Sequence, residues 1–209
     1  MLAPAAQTAK RRVGLLGGSF NPAHRGHAHI SRQAIRLLDL DELWWLVSPG
    51  NPLKSADGMA PFAARHASAR RAARGTPRIR VTGIERRLGT RYTADTVAQL
   101  TTRFPQIRFI WLMGADNLVH FDRWERWRDL ARIVPIAVLA RPGYIGDAMT
   151  ARAMAWLRRF RHHPRQARTW PSWRPPAITL LPIRLDPTSA TAIRAADPRW
   201  AAAYLDRDA

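Results

Sequence analysis

The run Gly17-Gly18-Ser19-Phe20-Asn21-Pro22-Ala23-His24-Arg25-Gly26-His27 sets glycines, a hydroxyl and two imidazoles side by side. It follows an apolar stretch, Val13-Gly14-Leu15-Leu16, that reads as a short buried strand. Glycines after a strand allow a tight turn, and the backbone can approach a ligand without a Cβ in the way. A helix starting near Gly26 aims its first N–H groups and the positive end of its dipole at the same place. His24 and His27 lie three apart, so on a first helical turn they share a face. Together these parts make a cradle for a polyphosphate. A single histidine here would more often be a cap or a surface residue; the pair, spaced by a glycine after the turn, favours the ligand. A second anion-binding helix start is Ser189-Ala190-Thr191-Ala192-Ile193-Arg194. Ser189 can cap, Thr191 can donate, and Arg194 can fork onto phosphate oxygens. Alone, that segment also reads as an ordinary capped helix.

Both segments need a frame, and the hydropathy pattern supplies it. Strand-like runs at 13–17, 42–47, 78–83, 107–113, 135–140 and 177–183 alternate with helical patterns at 25–38, 61–74, 93–104, 124–133, 149–160 and 189–196. The alternation predicts an α/β fold, a Rossmann-like doubly wound parallel sheet with helices on both faces. Ligands of such sheets sit beyond the carboxyl ends of the strands, where strand order reverses. We expect residues 1–12 to form a short mobile leader and 13–209 a single domain. Within it, 161–176 is rich in proline and arginine and is expected to be an irregular basic loop.

Composition narrows the function. The 209 residues suit one domain and include no cysteine, which excludes disulfides and thiolate metal sites. That fits a reducing, cytoplasmic setting. No apolar run reaches the ~18 residues of a membrane span, and 1–12 lacks a signal-peptide core. The net charge is +19, carried almost wholly by arginine, with Lys10 and Lys54 the only lysines. Such a field attracts anionic nucleotides. It would also suit nucleic acid, but alanine, arginine, proline and tryptophan are all abundant, as GC-rich coding gives, so nucleic acid is not the expected partner. There is no dedicated metal-ligand cluster; the adjacent His162 and His163 are poorly placed to chelate.

The segment around His24, Gly26 and His27 resembles the HxGH signature of the nucleotidyltransferase superfamily, and 189–194 resembles its second signature. Four more segments resemble the bacterial nicotinate mononucleotide adenylyltransferases, in that family's order: Ser48-Pro49-Gly50-Asn51-Pro52-Leu53-Lys54, Gly89-Thr90-Arg91-Tyr92-Thr93-Ala94-Asp95-Thr96, Met113-Gly114-Ala115-Asp116-Asn117 and Phe121-Asp122-Arg123-Trp124. The resemblance weakens in 161–176 and after Arg194. It implies transfer of the adenylyl group of ATP to nicotinate mononucleotide. It makes His24, His27 and Arg194 catalytic, with His27 stabilising charge at the reacting phosphorus and Arg194 with Thr191 holding pyrophosphate. ATP would also meet Gly17, Gly18, Ser19, Phe20, Lys54, Asp116, Ser189 and Thr191. Asp116 would accept from ribose hydroxyls, although a carboxylate there also reads as a helix cap. Thr93 would grip the pyridine carboxylate and Trp124 would stack on the ring, although Trp124 also reads as core; Trp127 is assigned to packing. Magnesium (Mg2+) is implied as a companion of the ATP phosphates, with few protein ligands.

Rival readings are a phosphopantetheine or nicotinamide-mononucleotide branch of the superfamily, a nucleic-acid binding protein, and a dinucleotide oxidoreductase. The last lacks its Gly-x-Gly-x-x-Gly turn after the first strand.

Overall fold

The computed structural model describes residues 10–50, 58–140, 143–184 and 186–205. In chain order the elements are β1 (Arg11–Gly18), α1 (Arg25–Leu37), β2 (Glu42–Val47), α2 (Phe62–Ala73), β3 (Ile79–Thr82), α3 (Ile84–Leu88), α4 (Thr93–Arg103), β4 (Ile107–Gly114), α5 (Ala115–Val119), α6 (Trp127–Ile133), β5 (Ile136–Leu139), α7 (Ile145–Thr150), α8 (Arg152–Leu157), β6 (Arg161–His162), β7 (Ile178–Leu181), α9 (Ala190–Ala196) and α10 (Ala202–Leu205), with 3₁₀ turns at Phe121–Arg123, Arg158–Phe160 and Pro164–Ser172.

The strands form one parallel sheet in the order β3-β2-β1-β4-β5-β7-β6. Strand order reverses between β1 and β4, so the connections leaving these two strands part to opposite faces and open a crevice at their carboxyl ends. Alternating side chains feed two cores. Leu15, Leu46, Trp111 and Met113 face one side, with residues of α4, α5, α6 and α8. Leu16, Trp45, Ile110 and Leu112 face the other, with residues of α1 and α2. This is the doubly wound arrangement expected of strands that are apolar on both faces.

Several boundaries differ from the sequence reading. The strand β1 begins at Arg11, so Arg11 and Arg12 belong to the sheet and not to a leader: the Arg12 N–H donates to Asp41 at 2.7 Å and its guanidinium pairs with Asp39 and Asp41. The segment 161–176 is not an irregular loop. It holds β6 and the 3₁₀ helix Pro164–Ser172, which His163 caps from its Nδ1. Proline is a breaker inside a helix but fits the first turn, where Pro164 stands. Trp170 then buries its ring, 1% exposed, and donates to the Leu38 carbonyl at 2.9 Å. The single helix expected over 149–160 is two helices, parted at the extended Ala151. The helix expected from Trp124 starts at Trp127, because Arg126 adopts a left-handed backbone, φ 54°. Beyond Arg194, α10 packs on α2 and Trp200 is buried.

Candidate active site

A cavity of about 830 Å³ opens at the carboxyl ends of β1 and β4. Its wall is built from the turn after β1, the start of α1, the residues that follow β4, the start of α4, the turn bearing Trp124, and residues 186–190 before and at the start of α9. Pockets of ~300–1,000 Å³ accommodate a drug-sized ligand.

The histidine pair is held by its own backbone. His24 is the N-cap of α1 and accepts from the Gly26 N–H at its Nδ1, 3.2 Å; His27 Nδ1 accepts from the His24 N–H, 3.2 Å. A neutral imidazole that accepts at Nδ1 carries its proton at Nε2. Both rings are therefore set as Nε2–H donors, with centroids 4.0 Å apart. His27 also packs on Phe20 at 5.0 Å and Trp45 at 5.9 Å. Gly26 is needed because a Cβ there would lie 2.9 Å from His24 Nδ1 and 3.3 Å from the Thr188 carbonyl. That close approach brings the second helix start against the first. Arg25 reinforces it, donating to Thr188 Oγ1 at 2.8 Å and pairing with Asp186 at 3.5 Å. Thr188 donates to Asp186 as well, and this hydrogen bonding holds the Asp186 carboxyl below the usual carboxylate range.

Beneath the glycine turn lies an arginine, Arg65 of α2, only 1% exposed. It donates to four carbonyls: Ala60 at 2.9 Å, Ser19 at 2.8 Å, Ser48 at 2.7 Å and Pro49 at 3.1 Å. The loops that leave β1 and β2 are thus tied to one rigid fork. Asn21 adds a second tie, donating to the Gly58 carbonyl at 2.8 Å and accepting from the Ala60 N–H at 3.1 Å. Because the buried Arg65 satisfies four backbone carbonyls, Arg65→Lys is expected to lower stability by about 1–3 kcal/mol, since a lysine ammonium has three donors without the planar fork. Urea denaturation checks this; a midpoint equal to wild type refutes it.

The opposite side of the cavity carries Thr93, Trp124, Asp116 and Glu85. The Trp124 ring is set edge-on to Phe121 at 5.4 Å and to Trp111 at 6.1 Å. Arg126 bridges Asp95 of α4 at 2.6 Å and Asp129 of α6 at 3.1 Å, fixing the elements on either side of Trp124. A Cβ at Gly114 would overlap the Asp116 carboxylate, so glycine there lets that carboxylate fold back over the end of β4.

A family model described as cytidylyltransferase-like matches residues 15–196. The chain belongs to that family. A protein of Erythrobacter litoralis, named probable nicotinate-nucleotide adenylyltransferase, is 59% identical over 92% of this chain and 88% of its own length. A protein of the same name from Parvibaculum lavamentivorans is 55% identical, covering 88% and 90% respectively. Among solved structures, the Plasmodium falciparum nicotinic acid mononucleotide adenylyltransferase complexed with NaAD shares the fold, with a TM-score of 0.66 at 16% identity over 88% of this chain and 83% of that one.

On this cytidylyltransferase-like frame, Gly17, Gly18, Ser19, Phe20, His24, His27, Thr93, Asp116, Trp124 and Ser189 all border the one cavity. Phe20 does so from a buried position, 2% exposed with φ 48°, where its ring supports His27 and stacks on Trp45 at 5.1 Å. Asp116 sits in the first turn of α5 rather than at its cap, which is Gly114. Trp127 is core, as assigned. Two residues are not brought to the wall. Arg194 donates to the Asn21 carbonyl at 2.6 Å and to Thr191 Oγ1 at 3.4 Å, and neither Arg194 nor Thr191 borders the cavity. Lys54 lies outside the described residues. Sequence reasoning missed Arg65, Asn21 and Glu85. Their partners are mostly backbone carbonyls, amides and hydroxyls distant in sequence, which leave no local signature.

Proposed function

We infer that the protein transfers the adenylyl group of ATP to the phosphate of nicotinate mononucleotide, giving nicotinate adenine dinucleotide and pyrophosphate, a step of NAD biosynthesis. The 59% identity to a nicotinate-nucleotide adenylyltransferase over 92% of the chain carries this reading. The geometry suits it: two anion-binding helix starts and an aromatic platform border one cavity.

In this reading a phosphate oxygen of the mononucleotide attacks the α-phosphorus of ATP, and the bond from that phosphorus to the β-phosphate oxygen breaks. No side-chain nucleophile is required. Catalysis is positioning and neutralisation of charge. His24 and His27 supply Nε2–H donors to the phosphates, with Ser19, Gly17 and Gly18 shaping the turn and Ser189 capping α9. Arg194 reaches a phosphate by exchanging the Asn21 carbonyl for it, with Thr191 alongside. Asp116 accepts from ribose hydroxyls. Lys54 adds a point charge for phosphate. Magnesium would accompany ATP and supply neutralisation of phosphate charge, with few protein ligands. No helix among the described residues is long and apolar enough to cross a membrane. The compartment that suits an ATP-consuming step is the cytoplasm.

Incubation with Mg·ATP and each acceptor, with chromatography of the products, tests the reading. Adenylylation of phosphopantetheine and of neither pyridine mononucleotide would overturn it. Trp124→Ala is expected to weaken mononucleotide binding by about 1–3 kcal/mol if the ring stacks on the pyridine, by analogy with base–aromatic stacking. ATP affinity should hold. Equal loss of both ligands in calorimetry would mark Trp124 as packing for the whole site.

A further inference from the structure

The cavity wall holds a buried carboxyl for which the transfer chemistry has no use. Glu85 of α3 is 8% exposed and borders the cavity, as do Arg91, Tyr92 and Thr93. Two buried hydroxyls join it. Thr96 Oγ1 lies 3.5 Å from Glu85 Oε1, 3.2 Å from the Tyr92 carbonyl oxygen and 2.7 Å from Thr90 Oγ1. Tyr92 is the N-cap of α4, immediately before Thr93, and it gives the helix no side-chain cap.

Burial and the proton count together show what each state of this group requires. A threonine hydroxyl has one proton to give and two lone pairs. With Glu85 ionised, the Thr96 proton goes to Glu85, since the Tyr92 carbonyl already takes the N–H groups of Asp95 and Thr96, and a buried charge is then left with one hydroxyl at 3.5 Å and, among the described residues, no cation beside it. With Glu85 protonated, Glu85 and Thr90 both donate to Thr96, Thr96 adds its proton to the Tyr92 carbonyl, and no uncompensated charge is buried.

We propose that Glu85 is a positioning residue for substrate choice, which as a neutral acid completes the hydroxyl chain that holds the first turn of α4 ready for the pyridine carboxylate of the mononucleotide. This rests on the function inferred above. Burial pushes the Glu85 carboxyl up to about 7, and its side-chain partner is a hydroxyl and not a cation. Among the described residues, no charged group of the surrounding elements is an ion-pair partner of Glu85. On α3, Arg86 lies over the Phe62 ring at 4.7 Å and Arg87 is exposed. On α4, Asp95 pairs with Arg126, and on β2, Glu42 pairs with Arg11 and Arg80. On the cavity wall stand Arg91, exposed, together with Asp116, Arg123 and Glu125. An ionised Glu85 would also repel the incoming carboxylate. Anion binding and protonation of Glu85 therefore favour each other.

The test measures dissociation of nicotinate mononucleotide from the whole protein by calorimetry between pH 6 and 8.5, for wild type and Glu85→Gln, beside nicotinamide mononucleotide and Mg·ATP. Wild type should lose affinity for the nicotinate form by about tenfold per pH unit above ~7. Glu85→Gln should be flat over that range. The nicotinamide form, which shares the phosphate, should show a smaller loss in wild type, and Mg·ATP should bind alike to both proteins. A second measurement needs no variant: at pH 7.5, titrations in buffers of different ionisation enthalpy should show uptake of ~0.7 proton with the nicotinate form. A flat wild-type profile, an unchanged slope in Glu85→Gln, or no proton uptake overturns this inference while leaving turnover intact. Absence of nicotinate mononucleotide binding at every pH overturns both it and the function.

Discussion

His27→Ala lowers kcat about 100- to 1000-fold with the protein still folded, because a preorganised donor to developing charge contributes roughly 3–4 kcal/mol. The ring is preorganised in the literal sense. Its Nδ1 is occupied by the His24 N–H, which puts the proton on Nε2, and Phe20 and Trp45 fix the plane. Removing it also removes one arm of the α1 cap, and the loss of a cap costs about 1 kcal/mol. That cost falls on stability and is visible in a melting curve; the catalytic loss falls on kcat. A donor that strengthens as charge develops acts mainly on the transition state, so KM for ATP should move less than kcat. Steady-state kinetics beside thermal melts separate the two. A variant within threefold of wild type in kcat would remove His27 from the chemistry.

The frame of the site was legible because it follows from periodicity. Residues 42–47 and 107–113 are runs of apolar and β-branched or aromatic residues bounded by turn signals, and they became β2 and β4 with boundaries within a residue. That the glycine turn and the histidine pair would meet at one place was legible because glycine, histidine and a helix start sit within one short segment. Legibility failed where tertiary partners overrode local chemistry. Pro164 and Pro171 suggest a loop, yet burial of Trp170 and Trp173 and the cap from His163 give that segment a 3₁₀ helix. Arg126 in a left-handed backbone, with its guanidinium shared between Asp95 and Asp129, delayed α6 and left Trp124 standing before the helix at the cavity wall. Arg65 looked like one more arginine in an arginine-rich helix. Nothing in the spacing of α2 says that this one is buried under the turns after β1 and β2, because its acceptors are carbonyls of residues up to 46 positions away. Asn21 and Glu85 were hidden for the same reason.

The nicotinate form of the mononucleotide is expected to exceed the nicotinamide form in kcat/KM by roughly ten- to a few-hundred-fold, since hydrogen bonds to a charged acceptor contribute about 1.5–3 kcal/mol and each 1.4 kcal/mol is tenfold. The donors are those of the first turn of α4. Tyr92, its N-cap, has extended backbone at φ −110° and ψ 142° and supplies no side-chain acceptor, so the helix keeps its preference for an anion at this end. The Tyr92 carbonyl already takes the N–H groups of Asp95 and Thr96, each at 3.1 Å, which leaves the earliest amides of the turn and the Thr93 hydroxyl as the donors best suited to a carboxylate. A carboxylate accepts from all of them. An amide presents its own NH₂ to at least one donor, and that mismatch adds to the difference. Arg91, on the same wall, favours the more anionic substrate through the field. Both acceptors carry the same ribose phosphate, so the comparison isolates the ring substituent when salt, magnesium and pH are matched. Run at pH 6.5, below the titration of Glu85, the ratio should be near its maximum. Equal kcat/KM for the two mononucleotides would show that the α4 turn does not read the carboxylate.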